Sequence, residues 1–198
     1  MPVGCLLRLT PGAALLLVII TLGGCFLLFQ STNINIGGIS AADYQEIHFT
    51  DRYHHAQYND IDWDISYETG KASVFLGTIR HISPIRMHRF ALLTHDILVT
   101  SGDFADPDLV RTSVINHKFF WRSRSDAQPQ GTINLLHTVA IDSAVYDTLW
   151  SLKNGQTVQV TGYEILRISL LDENGAMRSY WEDHGCNTLL ISEITVLD

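Results

Sequence analysis

Residues 131–171 decide the fold; they read GTINLLHTVA IDSAVYDTLW SLKNGQTVQV TGYEILRISL L. The pattern over residues 131–139 predicts a strand. The period then changes: Asp142 can cap a helix that Gly155 brings to an end. The apolar stripe of this helix consists of Val145, Leu149 and Leu152. Residues 156–171 return to alternation, so the stretch predicts a strand, a helix and a long strand in that order.

Outward from this stretch, the rest of the C-terminal part also has the pattern of a β domain. Further strands are predicted over residues 72–82, 87–100, 110–121, 176–181 and 188–197. Gly77 in the first of them indicates a bulge or a close backbone approach. Asp172-Glu173-Asn174-Gly175 predicts a hairpin turn.

Three or four strands, one helix and two or three strands is the order of an OB-like small barrel. In that fold the helix lies between the third and fourth strands, and the run from Leu152 through Gly155 to Gly162 resembles the fourth strand. Closing the sheet would also remove exposed strand edges. We therefore expect a mainly β, OB-like barrel; a small β-sandwich would produce a similar pattern and stays the alternative.

The N-terminal part is apolar. Residues 9–42 contain no Asp, Glu, Lys, Arg or His, and residues 12–29 are almost continuously hydrophobic. At about 1.5 Å per residue this run spans about 27 Å, close to the ~30 Å hydrocarbon core of a bilayer. Residues 1–30 are therefore predicted to be a transmembrane helix or a signal segment that associates the chain with the membrane.

Three fates of this segment remain open. It can be an uncleaved signal anchor, it can be cleaved after Gly23 or Gly24, or Cys25 can be a lipidated N-terminus, because Leu22-Gly23-Gly24-Cys25 resembles a bacterial lipobox. Arg8 is the only charge before the segment and favours a cytoplasmic amino terminus. All three put the bulk of the chain outside the cytoplasm. The favoured fate, the uncleaved anchor, predicts a single-pass protein of the bacterial inner membrane, and a lipoprotein anchored at Cys25 is the alternative.

Residues 31–67 follow as a tether and lead-in, and residues 68–198 as the extracytoplasmic domain. The first part of the lead-in is small, uncharged and turn-prone. Residues 43–67 are rich in aromatic, Asp and His residues without clean periodicity, which we interpret as a partly ordered segment on the domain edge.

Charge and cysteine content limit the partners. Asp and Glu number 21 against 13 Lys and Arg, for a formal net charge of −8. Such a surface repels phosphate backbones, so no nucleic-acid partner is predicted. The basic and aromatic run 118–124 is the one local exception, and burial of Phe119 and Trp121 on one strand face explains it without a ligand. Cys186 is the only cysteine after residue 25, which excludes a disulfide within the domain.

Several short motifs resemble an uncharacterised family of membrane-anchored bacterial envelope proteins. They are Gly102-x-x-Ala105-Asp106, the aromatic strand ending at Trp121, Ile133-Asn134-Leu135-Leu136-His137, the Gly155 and Gly162 strand, and Asp183-x-Gly185-Cys186. The resemblance covers just over half the chain. It implies an envelope location and a single domain, and it implies no activity.

Nine histidines make metal chemistry the first candidate. His137, His184 and Cys186 can form a metal site if the closing strands meet, and Cys186 with His184 as base is a candidate nucleophile. His81, His88 and His95 recur every seven residues, but on strands that odd spacing alternates faces, so they predict no shared site.

The acidic loop 102–108 is the second candidate. Asp103 and Asp106 could hold a hard cation or perform acid–base chemistry. Asp106 followed by Pro107 is also a standard helix start, with Asp106 as the N-cap.

Two interpretations follow. The favoured one is a non-catalytic, membrane-tethered module that binds a protein partner or assists assembly in the envelope, with no cofactor predicted. The alternative is a metal-binding protein or hydrolase that uses Asp103, Asp106, His137, His184 and Cys186. The sequence contains no established catalytic motif, so an enzyme is not favoured.

Overall fold

The structure is a computed structural model that describes residues 41–183 and 185–197, and these residues are mainly β. The predicted membrane segment, the lipobox and His184 lie outside the described residues. The strands are β1 His48–Thr50, β2 His55–Tyr58, β3 Ile61–Tyr67, β4 Ser73–Pro84, β5 His95–Thr100, β6 Val110–Ile115, β7 Lys118–Ser123, β8 Ile133–Ala140, β9 Thr157–Leu171, β10 Met177–Trp181 and β11 Asn187–Val196. Helix α1 is the single turn Ala41–Tyr44, and α2 is Ser143–Ser151.

Five strands form a closed ring in the order β4-β5-β8-β11-β9 and back to β4. The β8–β11 pair is parallel and the other four pairs are antiparallel. Each ring strand contributes buried apolar side chains to one core, among them Ile79, Ile97, Leu136, Val160 and Leu190. Removal of this apolar surface from water is the main stabilising term of such a sheet.

Two glycines allow the ring strands to approach closely. A Cβ at Gly77 would lie 2.2 Å from the backbone oxygen of Thr100, and one at Gly162 would lie 2.6 Å from that of Leu190. Any side chain at either position would therefore push β4 from β5 or β9 from β11. The close approach predicted at Gly77 is confirmed.

Helix α2 connects β8 to β9, as the sequence predicted. The Asp142 side chain accepts a hydrogen bond from the backbone N–H of Val145 at 2.9 Å, which satisfies one of the free donors at the helix start. Leu149 of the predicted stripe is fully buried and Val145 is 8% exposed. Gly155 has φ +93° in the turn that follows the helix.

Residues 48–67 are more ordered than their sequence indicates. They form β1, β2 and β3, and β3 pairs with the second half of β9. Trp63 and Ile65 of β3 are buried in the same core as the ring strands. The sequence Ile61-Asp62-Trp63-Asp64-Ile65 alternates apolar and polar residues as a half-buried strand does, so β3 carried a local signal that was overlooked.

Two predicted strands differ from the structure. The strand expected over residues 87–100 begins only at His95, because residues 88–90 form a 3₁₀ turn. The strand expected over residues 110–121 is two strands, β6 and β7, joined at Asn116 and His117. Both turn residues have positive φ, 50° and 60°, as a two-residue hairpin turn requires. Gly is the usual second residue of such a turn, so His117 obscured it.

Within residues 41–183 and 185–197, no helix is both long enough and apolar enough to cross a membrane.

Candidate functional site

A solvent-open cavity of about 570 Å³ lies where the β6–β7 turn meets β8 and the segment between β10 and β11. Its walls come from residues 116–119, from His137 and from residues 181–183, 185 and 186. These segments are far apart in sequence and are brought together by the closed ring and by the parallel pairing of β11 with β8.

His137 lies at the base of this cavity and is 2% exposed. Strand pairing places it directly opposite Asp96 of β5. The His137 Nδ1 lies 2.7 Å from Asp96 Oδ1. Because an ionised carboxylate only accepts hydrogen bonds, Nδ1 donates to Asp96, and Nε2 faces the other side of the ring.

Asp96 also binds a second histidine. Its Oδ2 lies 2.8 Å from the Nδ1 of His117, which the tight β6–β7 turn carries over the cavity. The Asp96 side chain is 5% exposed, whereas that of His117 is 34% exposed. Asp96 thus orients one buried and one partly exposed imidazole. This is the arrangement by which carboxylates fix metal-binding histidines in proteins.

The opposite wall places a carboxylate and a thiol beside the Nε2 of His137. Asp183 Oδ2 lies 3.5 Å from that atom. One potential ligand atom each from His137, Asp183 and Cys186 lie within 4.8 Å of one another. The three residues therefore provide a nitrogen, an oxygen and a sulfur donor at a single point.

Hydrogen bonds hold this wall in position. Asp183 Oδ1 accepts from the backbone N–H of Cys186 at 3.0 Å, and its Oδ2 accepts from the Thr188 hydroxyl at 3.1 Å. The Thr188 hydroxyl in turn accepts from the indole N–H of Trp181 at 3.0 Å. The Trp181 ring packs against His137 with perpendicular planes and centroids 5.4 Å apart. The carboxylate, the indole and the imidazole thus form one connected unit.

The electric field of the cavity favours a cation. Burial first, and then the carboxylates of Asp183 and Asp96, raise the pKa of the Cys186 thiol above its usual value, while Lys118 opposes the shift. In this field the thiol keeps its proton, and its Sγ lies 3.9 Å from the backbone oxygen of His117. A bound metal ion would reverse this effect, because a coordinating thiol is deprotonated.

The geometry distinguishes between two possible metal positions. At a tetrahedral centre with bonds of about 2.1 Å, two ligand atoms stand about 3.4 Å apart. The 3.5 Å between His137 Nε2 and Asp183 Oδ2 matches that edge and exceeds the usual hydrogen-bond length. A second set, Asp96 with His117 and His137, is also close enough. Its separations of 2.7 and 2.8 Å are instead those of hydrogen bonds.

The structure brings together only part of the predicted site. His137 and Cys186 line the cavity, while their predicted partner His184 lies outside the described residues. The cavity lining does not include Asp103 or Asp106. Asp103 accepts from the backbone N–H of Gln130 at 2.8 Å, and Asp106 accepts from that of Asp108 at 2.7 Å. Asp106 ends the 3₁₀ turn Gly102–Ala105 and is followed by a turn over residues 107–109 instead of a helix, so the predicted helix start at Pro107 is wrong.

Sequence reasoning did not propose Asp96, His117 or Asp183 as site residues. Asp96 gave one usable signal, since it is a carboxylate directly before the apolar run Ile97-Leu98-Val99, where an unpaired charge would be costly. His117 could have been proposed as a site residue if Asn116-His117 had been recognised as a hairpin turn. Asp183 was noted only within the motif Asp183-x-Gly185-Cys186.

No family model matches this chain, and no curated protein matches it.

Proposed function

We propose that this domain binds one divalent transition-metal ion of the zinc type through His137, Asp183 and Cys186. The observation that carries the proposal is the meeting of His137 Nε2, a carboxylate oxygen and a thiol sulfur within 4.8 Å, at the wall of an open cavity. Thiolate, imidazole and carboxylate together are donors that suit zinc better than magnesium or calcium. Asp96 would serve as the positioning residue of His137.

Such a donor set has three protein ligands and leaves one tetrahedral position facing the cavity. Three ligands with an open position are typical of catalytic zinc sites, in which the ion binds and activates water. Hydrolysis is therefore the chemistry that the site would support. His117, held by Asp96 at the cavity rim, is the side chain placed to accept a proton there.

The test is metal binding by the full-length chain purified in detergent. We expect about one zinc ion per chain by elemental analysis. Cobalt in its place should give a sulfur-to-metal absorption band. Cys186→Ser should abolish that band, and His137→Gln should abolish binding. The matched control is His48→Ala, which removes an exposed histidine outside the cavity.

Folding of each variant is checked by circular dichroism, and Cys186→Ser carries the test because its half-buried side chain is not part of the apolar core. Cobalt bound without a sulfur band, or zinc retained equally by Cys186→Ser and His137→Gln, would refute this ligand set.

We further infer that the ring is an OB-like barrel. The supporting features are the ring order β4-β5-β8-β11-β9, its parallel β8–β11 pair and the position of α2 between the third and fourth ring strands. Loss of the β4–β9 pairing, seen as fast hydrogen exchange of the amides that join these two strands, would contradict this assignment.

Location is part of the proposal. The support is the apolar run over residues 12–29, which we assign to a membrane anchor or export signal that delivers the domain to the periplasmic side of a bacterial inner membrane. An alkaline phosphatase fused after residue 198 should be active in cells. Activity of a cytosolic reporter at the same position, with an inactive phosphatase, would contradict the assignment.

A tethered interaction module is the second candidate, favoured by apolar side chains exposed on the β6–β7 hairpin. Ile115 is 59% exposed and Phe120 is 54% exposed. A photo-reactive residue at position 120 should then cross-link to an envelope protein in cells. The control is the same residue at Leu166, which is 52% exposed on β9. Equal cross-linking at both positions, or none at position 120, would count against this candidate.

A further inference from the structure

The arms of the β6–β7 hairpin carry an arginine cluster distant from the metal-site candidate. Arg111 and Arg122 are direct cross-strand partners, so their side chains leave the same face of the hairpin. Together with Ser123 and Arg124 they line a cavity of about 370 Å³. Arg122 lies four residues along β7 from Lys118, which lines the cavity of the metal-site candidate, and this spacing corresponds to about 13 Å. The two sites are therefore separate.

These arginines form no ion pair within the part of the chain that the structure describes. The arginine ion pairs found there are Arg167 with Glu182 and Arg178 with Asp172. Asp103 and Asp106 of the acidic loop before β6 form no ion pair with these arginines among the described residues, and their carboxylates accept from backbone N–H groups instead. Three guanidinium groups thus share one cavity without a carboxylate partner.

The Ser123 hydroxyl is also engaged, so the guanidinium groups are the donors that the cavity offers. Its Oγ donates toward the backbone oxygens of Ser125 and Ala127, at 2.8 and 3.2 Å, and accepts from the Ser125 N–H at 3.2 Å. These bonds fold the chain after β7 back on itself. They fix one wall of the cavity.

The hairpin is attached firmly at this end. The Arg80 guanidinium on β4 donates to the backbone oxygen of Phe104 at 2.9 Å and to that of Val110 at 3.1 Å. The backbone N–H of Arg124 donates to the oxygen of Leu109 at 2.9 Å. The base of the hairpin, and with it the position of Arg111 and Arg122, is therefore held before any ligand arrives.

Like charges placed directly opposite each other on two strands destabilise the pairing. Two arginines are paired in this way in a chain that has only 13 basic residues and a net charge of −8. The repulsion between them is therefore not a consequence of a generally basic composition. An oxyanion between the guanidinium forks would remove the repulsion, because arginine binds phosphate oxygens in bidentate fashion.

We propose that the cavity of Arg111, Arg122 and Arg124 is a binding site for a phosphate group. The group arrives either as a small free phosphate compound or as the headgroup of a phospholipid. The site is independent of the metal proposal.

The experiment measures thermal unfolding of the full-length chain in uncharged detergent, with and without inorganic pyrophosphate. Wild type should be stabilised in a saturable manner that weakens with added salt. Arg111→Gln and Arg122→Gln should each weaken pyrophosphate binding about tenfold, because each removes a charge-assisted contact. Without the ligand, both should unfold at a temperature equal to or above that of wild type, since the repulsion is gone.

Arg178→Gln is the matched control, because it removes the same charge from an exposed position on β10; it should leave pyrophosphate binding unchanged. A parallel arm replaces pyrophosphate with phosphatidylglycerol in the micelles and compares it with phosphatidylcholine. A response to pyrophosphate assigns the source to free phosphate compounds. A response to phosphatidylglycerol alone assigns it to a headgroup. No response to either, or an equal loss in Arg178→Gln and Arg122→Gln, overturns the proposal.

Discussion

Two histidines, one on each face of β5, are equally buried but differ in whether a carboxylate binds their ring. His95 and His137 are each 2% exposed. The Nδ1 of His137 is hydrogen-bonded to Asp96, whereas the Nδ1 of His95 has no hydrogen-bond partner among the described residues. The His95 ring instead packs edge-on against Trp150 of α2, with centroids 4.8 Å apart. Adjacent residues of a strand face opposite sides, so His95 is separated from the carboxylate of its own neighbour.

The difference teaches that burial alone does not define a functional histidine. Burial lowers the pKa of His95 to about 4, with Asp96 opposing the shift, so this ring stays neutral and acts as part of the core. His137 has a carboxylate to fix its proton on one side and an open cavity on the other. Asp96 on the neighbouring strand therefore makes His137, and not His95, a candidate metal ligand.

The largest expected effect comes from removing Asp96. Asp96→Ala should lower the free energy of unfolding by about 4 kcal/mol, because it removes two hydrogen bonds to a charged group, worth about 2 kcal/mol each, and leaves the buried His137 N–H without an acceptor. Urea denaturation followed by tryptophan fluorescence measures this. Asp96→Asn, which keeps the shape and loses the charge, should cost less. A loss below about 1 kcal/mol for Asp96→Ala would contradict the claim that Asp96 stabilises the environment of His137.

A smaller effect should appear with pH on the His95 side. Because the folded-state pKa of about 4 lies below the ordinary histidine pKa of 6.5, the unfolded chain binds more protons between these values. Stability should therefore be complete above pH 6.5 and fall by up to about 3 kcal/mol as the pH drops to 4. Urea titrations at several pH values measure the slope.

His95→Leu is the control for this slope. It should flatten the dependence of stability on pH between 6.5 and 4, while the contributions of other groups persist in both proteins. An unchanged slope in His95→Leu would show that the buried ring is not its source.

The smallest effect is expected at His117, whose side chain is 34% exposed. His117→Gly loses the bond to Asp96 but relieves a positive φ of 60°. Each contribution is about 1 kcal/mol, so they should nearly cancel. His117→Ala loses the bond and keeps the strained φ, so it should be about 1 kcal/mol less stable than His117→Gly. The reverse order in urea denaturation would contradict this account of the turn.

Local pattern predicted much of the fold. The cap at Asp142, the alternation over β9 and the turn before β10 are signals that each lie within a few residues, and the structure contains all three elements. The prediction of a single strand over residues 110–121 was wrong because Asn116-His117 lacks the glycine that usually marks a hairpin turn. The prediction for residues 48–67 missed the alternation Ile61-Asp62-Trp63-Asp64-Ile65, which is a local strand signal. The partner of β3, which lies about a hundred positions later, is contained in no local window.

The candidate site was predicted less completely. His137 and Cys186 were identified by residue type alone. Asp96 was missed because its importance depends on the β5–β8 register, which places it opposite His137. Asp103 and Asp106 were chosen because carboxylates cluster in sequence, and the structure shows that backbone N–H groups bind them.

The sequence by itself determined the β character of the domain, the capped helix between two strands, and the apolar run from which the membrane anchor is predicted. These follow from hydrophobic periodicity and capping, which act between residues close along the chain. Only the tertiary structure decided which histidine meets a carboxylate and which meets Trp150. That choice depends on strand register, and a shift of one residue would exchange the faces of His95 and Asp96.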